Sequence, residues 1–285
     1  MRFWLGASFV DTEEFVELAR VAERCGFDTL TLSDHLFYAD FATPYPYSRS
    51  GKPRWDAATH WPDPWVTIGA MSAVTTTLRF SPNVYIAPAR DLITVAKQVS
   101  TAAVLSGGRV TFGVGVGWCA EEFQATGQDF RTRGRRLDAM IPTLRALWSG
   151  EEVILEGLPP LTISPKAGNI PIYIGGDSEP ALRRAARIGD GWIGNRIYTE
   201  EQLDQVLSDL SRYLKEYGRD PIEVIAPVAA LPDPAVYRRL AAKGVTGTMA
   251  APWWLATPEE KTRYGSAELK RVTMERFAEE IIAKM

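Results

Sequence analysis

Apolar runs of strand length alternate with amphipathic runs of helix length along this chain of 285 residues, and that alternation limits its fold more than any other feature. The strand-like runs are Phe3–Ala7, Thr29–Ser33, Arg79–Ile86, Val110–Val114, Ile172–Gly175, Gly191–Gly194, Glu223–Val228 and Gly247–Ala251. Helical patterns fall near 12–25, 63–76, 91–106, 131–149, 179–188, 200–217 and 233–243, and 266–284 follows the last strand. Asp11-Thr12-Glu13-Glu14 reads as the opening of the first helix, with capping residues and acids in the first turn. Strands covered on both faces are apolar throughout, and strand–helix alternation favours a parallel sheet with helical crossovers. Eight repeats in a chain of this length predict a sheet closed into a single (β/α)8 barrel domain spanning residues 1–285. A doubly wound open sheet is the alternative, and the eightfold repetition weighs against it.

Composition narrows the partners. The chain is 46% hydrophobic and 24% charged, an ordinary balance for a globular protein. A net charge of -3 provides no basic footprint for nucleic acid. No apolar run reaches about 18 residues, and Met1-Arg2-Phe3 leads straight into a strand, so neither a signal peptide nor a membrane span is expected. Cys25 and Cys119 read as free thiols of a reducing compartment, with the cytoplasm as the expected location.

Three segments interrupt the rhythm, after the second, fourth and eighth strands. Residues 36–62 carry Phe37, Tyr38, Phe41, Tyr45, Tyr47, Trp55 and Trp61. Residues 150–170 delay the fifth strand, and 252–265 begin with Pro252-Trp253-Trp254. Loops after strands two and eight open on the carboxyl face of a barrel, where active sites of this fold lie. Their aromatic residues suit either ligand contact or packing of a long loop.

The stretch Leu105–Trp118 joins a helix end, a buried strand and a glycine-rich loop. Gly107 and Gly108 fit a left-handed helix stop. Gly113 and Gly115 match the start of a dinucleotide fingerprint, but Trp118 stands where the third glycine belongs. Ser33-Asp34-His35 ends the second strand, so His35 would stand at the barrel mouth, able to exchange a proton near neutral pH or to serve as a hydrogen-bonded structural residue. Ile174-Gly175-Gly176-Asp177-Ser178 is a strand, a glycine turn and a helix start, an anion site with Gly194 at the end of the next strand close by. Asp177 and Glu179 oppose an anion there, and Arg183, Arg184 and Arg196 could offset them. Pro82 removes a ladder donor and predicts a bulge near Asn83. His35 and His60 have no metal-ligand spacing, and no nucleophile elbow or Walker motif is present, so no metal site is expected.

Taken together, Leu32-Ser33-Asp34-His35-Leu36, Ala87-Pro88-Ala89-Arg90, Ala96-Lys97-Gln98, Leu105–Trp118, Glu121-Glu122-Phe123, Arg133-Gly134, Leu147-Trp148, Pro171–Gly176 and Gly189-Asp190-Gly191-Trp192 resemble the luciferase-like monooxygenase superfamily, and in particular its deazaflavin (coenzyme F420) dependent oxidoreductases. The resemblance implies a barrel with a tricyclic cofactor ring across the carboxyl ends of its strands. It implies a non-proline cis peptide at Asn83-Val84 in a third-strand bulge leading to Ile86. Cofactor contacts are implied for Asp34, Asn83, Val84, Ile86, Val116 and Gly117, and phosphate contacts for Gly175, Gly176 and Gly194. His35 is the implied catalytic residue. The sugar-phosphate branch has a glutamate directly after the glycine matching Gly117; Trp118 stands here, leaving Glu121 and Glu122 as further acid/base candidates. The implied activity is hydride transfer between F420 and a small organic substrate. FMN-dependent monooxygenation with oxygen is the alternative, and a flavin-binding protein without turnover is a third reading. Family barrels pair as homodimers, which is carried over as an expectation.

Overall fold

The computed structural model describes residues 1–285 and contains all eight expected strands. They are β1 (Arg2–Gly6), β2 (Thr29–Leu32), β3 (Arg79–Pro82), β4 (Phe112–Val114), β5 (Ile172–Gly175), β6 (Gly191–Ile193), β7 (Glu223–Ile225) and β8 (Gly247–Ala250). The helices are α1 (Phe15–Arg24), α2 (Pro64–Ser72), α3 (Leu92–Leu105), α4 (Ala120–Ala125), α5 (Arg133–Ser149), α6 (Glu179–Ile188), α7 (Glu200–Glu216), α8 (Pro234–Ala242), α9 (Pro258–Arg263) and α10 (Ser266–Glu280). The short α4 and α9 are additions to the repeating pattern. No helix is long and apolar enough to cross a membrane.

The strands form one sheet in the order β3-β2-β1-β8-β7-β6-β5-β4, with parallel neighbours throughout. The ring closes between β3 and β4 through two isolated parallel pairings, Phe80 with Val110 and Tyr85 with Val114. Five steps along the β3 side face four along the β4 side, so the expected bulge is present. The Asn83-Val84 peptide within it is cis. A Cβ on Gly113 would fall 2.0 Å from the Pro82 carbonyl oxygen, so the bulge occupies the room that a side chain on β4 would need. Gly107 and Gly108 hold positive φ of 65° and 82° beyond α3, the left-handed stop read from the sequence.

The core has two layers. Trp4, Tyr173, Ile193 and Ile225 fill the barrel interior, with Trp4 stacked on Tyr173 at 5.9 Å. Their neighbours in sequence, including Phe3, Leu5, Ile172 and Ile174, face the helices in the larger outer cluster. This is the period-two alternation of a strand between two apolar surroundings. The amino end of α1 departs from expectation. Thr12–Glu14 form a tight 3-10 turn, and the Asp11 side chain makes no capping bond. Instead the Thr12 N–H donates to His60 Nδ1 at 3.0 Å, so a residue of the 36–62 loop satisfies this helix-end donor.

Candidate active site

The residues after β2 run along the barrel mouth. Ser33 Oγ lies 2.7 Å from Ser8 Oγ, beyond β1. Asp34 is buried, and its carboxylate accepts the Ile86 N–H at 2.8 Å and two bonds from the Arg90 guanidinium, each 2.8 Å. Burial pushes the Asp34 carboxyl above its ordinary value, and Arg90 with the Ile86 N–H pulls the other way. These bonds tie the end of β2 to the chain just past the bulge.

His35 is held from the opposite side. Its Nδ1 lies 2.9 Å from Glu122 Oε1 on α4, and the same oxygen accepts the Leu36 N–H at 3.0 Å. The two side chains are 11% and 3% exposed. An ionised carboxylate only accepts, so this partner assigns a hydrogen to Nδ1 and leaves Nε2 as the nitrogen free to exchange a proton. Glu122 is thus brought to His35 from 87 residues away in sequence. Its neighbour Glu121 has another task. Glu121 Oε1 accepts the N–H groups of Ala42 and Thr43 at 2.8 and 2.9 Å. Burial alone would raise its carboxyl, but the Thr43 N–H and further hydrogen bonds outweigh that and hold it down at about 2.

The aromatic residues of 36–62 pack onto the barrel around His35. Trp55, Trp61 and Trp118 lie 4.7, 5.0 and 5.8 Å from its ring. Tyr45 stands edge-on to Trp55 and Trp118 at 5.0 and 5.2 Å. Besides Glu121 and His60, Asn195 holds the loop, donating from Nδ2 to the Tyr47 hydroxyl at 3.2 Å. Phe9, beyond β1, has a left-handed φ of 64°, a conformation unfavourable by roughly 1–3 kcal/mol for a bulky residue. That turn sets its ring edge-on to Trp61 at 5.3 Å and 6.4 Å from Trp254 after β8.

The other wall is made of backbone. The Val84 side chain fills the gap between the ends of β4 and β5: a Cβ on either Gly115 or Gly175 would come within 2.5 Å of it. Ile86 does the same at Gly117, where an added Cβ would fall 2.6 Å away and φ is +76°. Val84, Ile86, Gly117 and Gly175 are therefore one contiguous surface, with half-buried Val116 beside Gly117. The Asn83 amide contacts Met249 Sδ at 3.4 Å, on the β8 side of the mouth.

At the end of β5, Gly176 has a φ of +109°, and Ser178 precedes α6 without a side-chain capping bond, leaving that helix end uncapped. Of the three arginines, Arg183 pairs with Glu179 and Glu216, and Arg184 pairs with Asp138. Arg196 alone stands beside the turn, 2.7 Å from Asp177. The Gly194 N–H is engaged in the sheet by the Ile225 carbonyl at 2.8 Å. Cys25 and Cys119 are both buried and unpaired, and burial pushes their thiols up to about 11 and about 12.

Comparison with known proteins agrees with this architecture. The profile of the luciferase-like monooxygenase family matches residues 4–285. A Mycobacterium tuberculosis protein of unassigned function is 32% identical over 297 residues, covering all of both chains. An F420-dependent glucose-6-phosphate dehydrogenase of Nocardia farcinica is 30% identical over 210 residues, 68% of this chain and 57% of that one. Among solved structures, the monooxygenase RslO1 from Streptomyces bottropensis superposes with a TM-score of 0.71 at 19% identity, over 99% of each chain. The coenzyme F420 dependent tetrahydromethanopterin reductase of Methanopyrus kandleri gives 0.70 at 15% identity, over 99% of this chain and 98% of that one. With nearly its whole length matched by the family profile, the chain belongs to the luciferase-like monooxygenase family.

Proposed function

We propose that this protein is an oxidoreductase that transfers a hydride between F420 and a small organic substrate at the mouth of the barrel. The observation that carries the reading is the His35–Glu122 pair, buried under aromatic rings at a strand end. The F420-dependent relative at 30% identity supports the choice of cofactor.

The residues present suit a flat ring with a phosphate tail. Val84 and Ile86 would lie behind the ring, with Val116, Gly117, Asn83 and Asp34 around it. Gly175, Gly176 and the uncapped start of α6 would meet the phosphate, and Arg196 offsets the opposing charge of Asp177. Gly194 would act through close backbone packing, since its N–H is already engaged. The bound deazaflavin would supply or accept the hydride, and the protein the position and the dryness. His35 would give or take the accompanying proton at Nε2, because Glu122 holds Nδ1. Trp55, Trp61 and Trp118 would keep water from that exchange. Homodimer formation belongs to the same reading and is checked by sedimentation.

The test is a fluorescence titration of the purified protein with F420 and with FMN, each oxidised and reduced. Micromolar or tighter F420 binding is expected. Tight FMN binding without F420 binding would replace this reading with a flavin monooxygenase, which the family match and the RslO1 likeness equally accommodate. Tight binding without turnover on any substrate would leave a cofactor-binding protein.

A further inference from the structure

On the outside of the barrel, a cleft of about 730 Å³ runs between α5 and α6, a size that suits a small molecule. Arg135, Asp138 and Arg145 of α5 line it, with Arg187 of α6, Asp190 and Arg219. Asp190 and Arg219 come just before β6 and β7, so this end of the cleft lies at the amino face, opposite the mouth. Arg135 and Arg145 stand on one helix, about 15 Å apart at the rise of an α-helix. Four arginines meet two aspartates here, a surplus of two positive charges on a chain whose net charge is -3.

The guanidinium groups are anchored, yet most of their nitrogens have no partner. Arg187 donates from one nitrogen to Asp138 at 2.8 Å. Arg145 donates from one nitrogen to Asp190 at 2.7 Å and to the Ile188 carbonyl at 3.2 Å. Arg219 does the same toward the Ala186 and Gly189 carbonyls, at 3.0 and 2.8 Å. The aspartates are already matched, since Asp138 also accepts from Arg184 and Asp190 also accepts the Ile172 N–H, each at 2.8 Å. Closing the carbonyl end of α6 accounts for Arg145 and Arg219. It does not account for Arg135, which makes no hydrogen bond or ion pair and adds to the surplus. A guanidinium fixed at one nitrogen loses little freedom when its others bind, and its fork matches phosphate oxygens.

The remaining lining is aliphatic and belongs to helices, so an extended peptide would find no strand edge to pair with. Beyond Arg219 the adjoining hollow carries Asp220 and Glu223, and the basic stretch ends there. We propose that the α5–α6 cleft binds a linear oligophosphate, with phosphate groups in series taken by successive guanidinium forks. This site is separate from the mouth and does not depend on the cofactor assigned there.

Isothermal titration calorimetry of the full chain, at fixed ionic strength and without divalent cations, compares tripolyphosphate, inorganic phosphate and a hexaglutamate peptide. Tripolyphosphate is expected to bind at least about tenfold more tightly than either, because several forks engage one chain. Arg135→Gln and Arg187→Gln are each expected to weaken it about fivefold, the size of one net hydrogen bond, and the double variant by about the product of the two. Arg135 has no partner to lose, and Asp138 keeps Arg184 when Arg187 is replaced, so both variants should retain the fold. Arg212→Gln removes a positive charge from α7, outside the cleft, and should leave the affinity unchanged. Equal weakening by Arg212→Gln would reduce the effect to net charge and overturn the proposal. Tripolyphosphate binding no tighter than phosphate also overturns it. So does tight binding unchanged in the double variant, which would place the anion at the start of α6 beside the mouth. Tightest binding of hexaglutamate would give the cleft to an acidic polypeptide in place of an oligophosphate.

Discussion

Val84 occupies a space between Gly115 and Gly175 that no added carbon could share, whereas across the mouth Trp55, Trp61, Trp118 and Tyr45 meet one another through their rings alone. The first wall is fixed by how closely backbones approach, and the second by side chains from distant segments. A wall of the first kind tolerates no added volume. One of the second kind accepts a change of ring while the packing area is kept.

Asp34 and Arg90 stand where the two walls join, and the largest effect is expected there. Asp34→Ala leaves the Arg90 guanidinium, 13% exposed, beside an empty partner site, and breaking a buried pair in this way is destabilising by about 3–5 kcal/mol. Urea unfolding measures it. A loss below about 1 kcal/mol would mean that Arg90 finds water easily and that the junction is less closed than its geometry indicates.

The contrast between the walls is tested by adding a carbon to one and changing a ring in the other. Gly175→Ala places a Cβ 2.5 Å from Val84 Cγ1, and overpacking of this kind is destabilising by about 1–3 kcal/mol. Val84→Ala in the same chain removes the clashing methyls and should recover most of the melting temperature. Trp55→Phe in the aromatic wall should shift it far less. If the double variant melts no higher than Gly175→Ala, Val84 is not what excludes a side chain there.

The backbone wall was also the more legible one. Gly113, Gly115 and Pro82 announce a disturbed strand from sequence alone, because a missing Cβ and a missing N–H have few structural uses. The eight strands follow from apolar period, and their ends put His35 at the mouth. Glu122 was one candidate among several, and nothing local couples it to His35: the pair spans 87 residues and depends on where the short α4 lands. Asp34 shows the same limit, since only the family resemblance implied its contact with a ring, and nothing local indicated that Arg90 and the Ile86 N–H engage its oxygens. The left-handed turn at Phe9 has no sequence signal, because bulky residues adopt it only when their surroundings enforce it. Packing of the 36–62 aromatics was foreseen as one of two uses, and the rings now stand where either use is open to them.

The His35–Glu122 pair gives an effect of intermediate size. Glu122→Gln removes the carboxylate that assigns the Nδ1 hydrogen but keeps an acceptor for the Leu36 N–H. Turnover should fall about tenfold, equivalent to roughly 1.4 kcal/mol, with the pH dependence of kcat displaced and cofactor affinity retained. His35→Ala should reduce turnover further, by about a hundredfold. An unchanged pH profile in Glu122→Gln would reduce Glu122 to a structural prop.

The smallest effect concerns how the aromatic wall is fastened. Glu121 has its carboxyl held at about 2, below an ordinary value of 4.5, through hydrogen bonds that only the charged form fully accepts. A lowered value in the folded state means that this contribution is complete above about 4.5 and is lost as pH falls through about 2. Protection of the Ala42 and Thr43 amides from hydrogen exchange, corrected for the intrinsic rate, should therefore hold from neutral pH to about 4.5 and decline below it. In Glu121→Gln the amide oxygen still accepts, so some protection should persist, lower by about tenfold, as expected when a charge-assisted bond becomes a neutral one. Its dependence on pH should vanish. Protection that declines equally in both proteins would place the acid sensitivity elsewhere, and the loop would then depend on Asn195, His60 and the rings themselves.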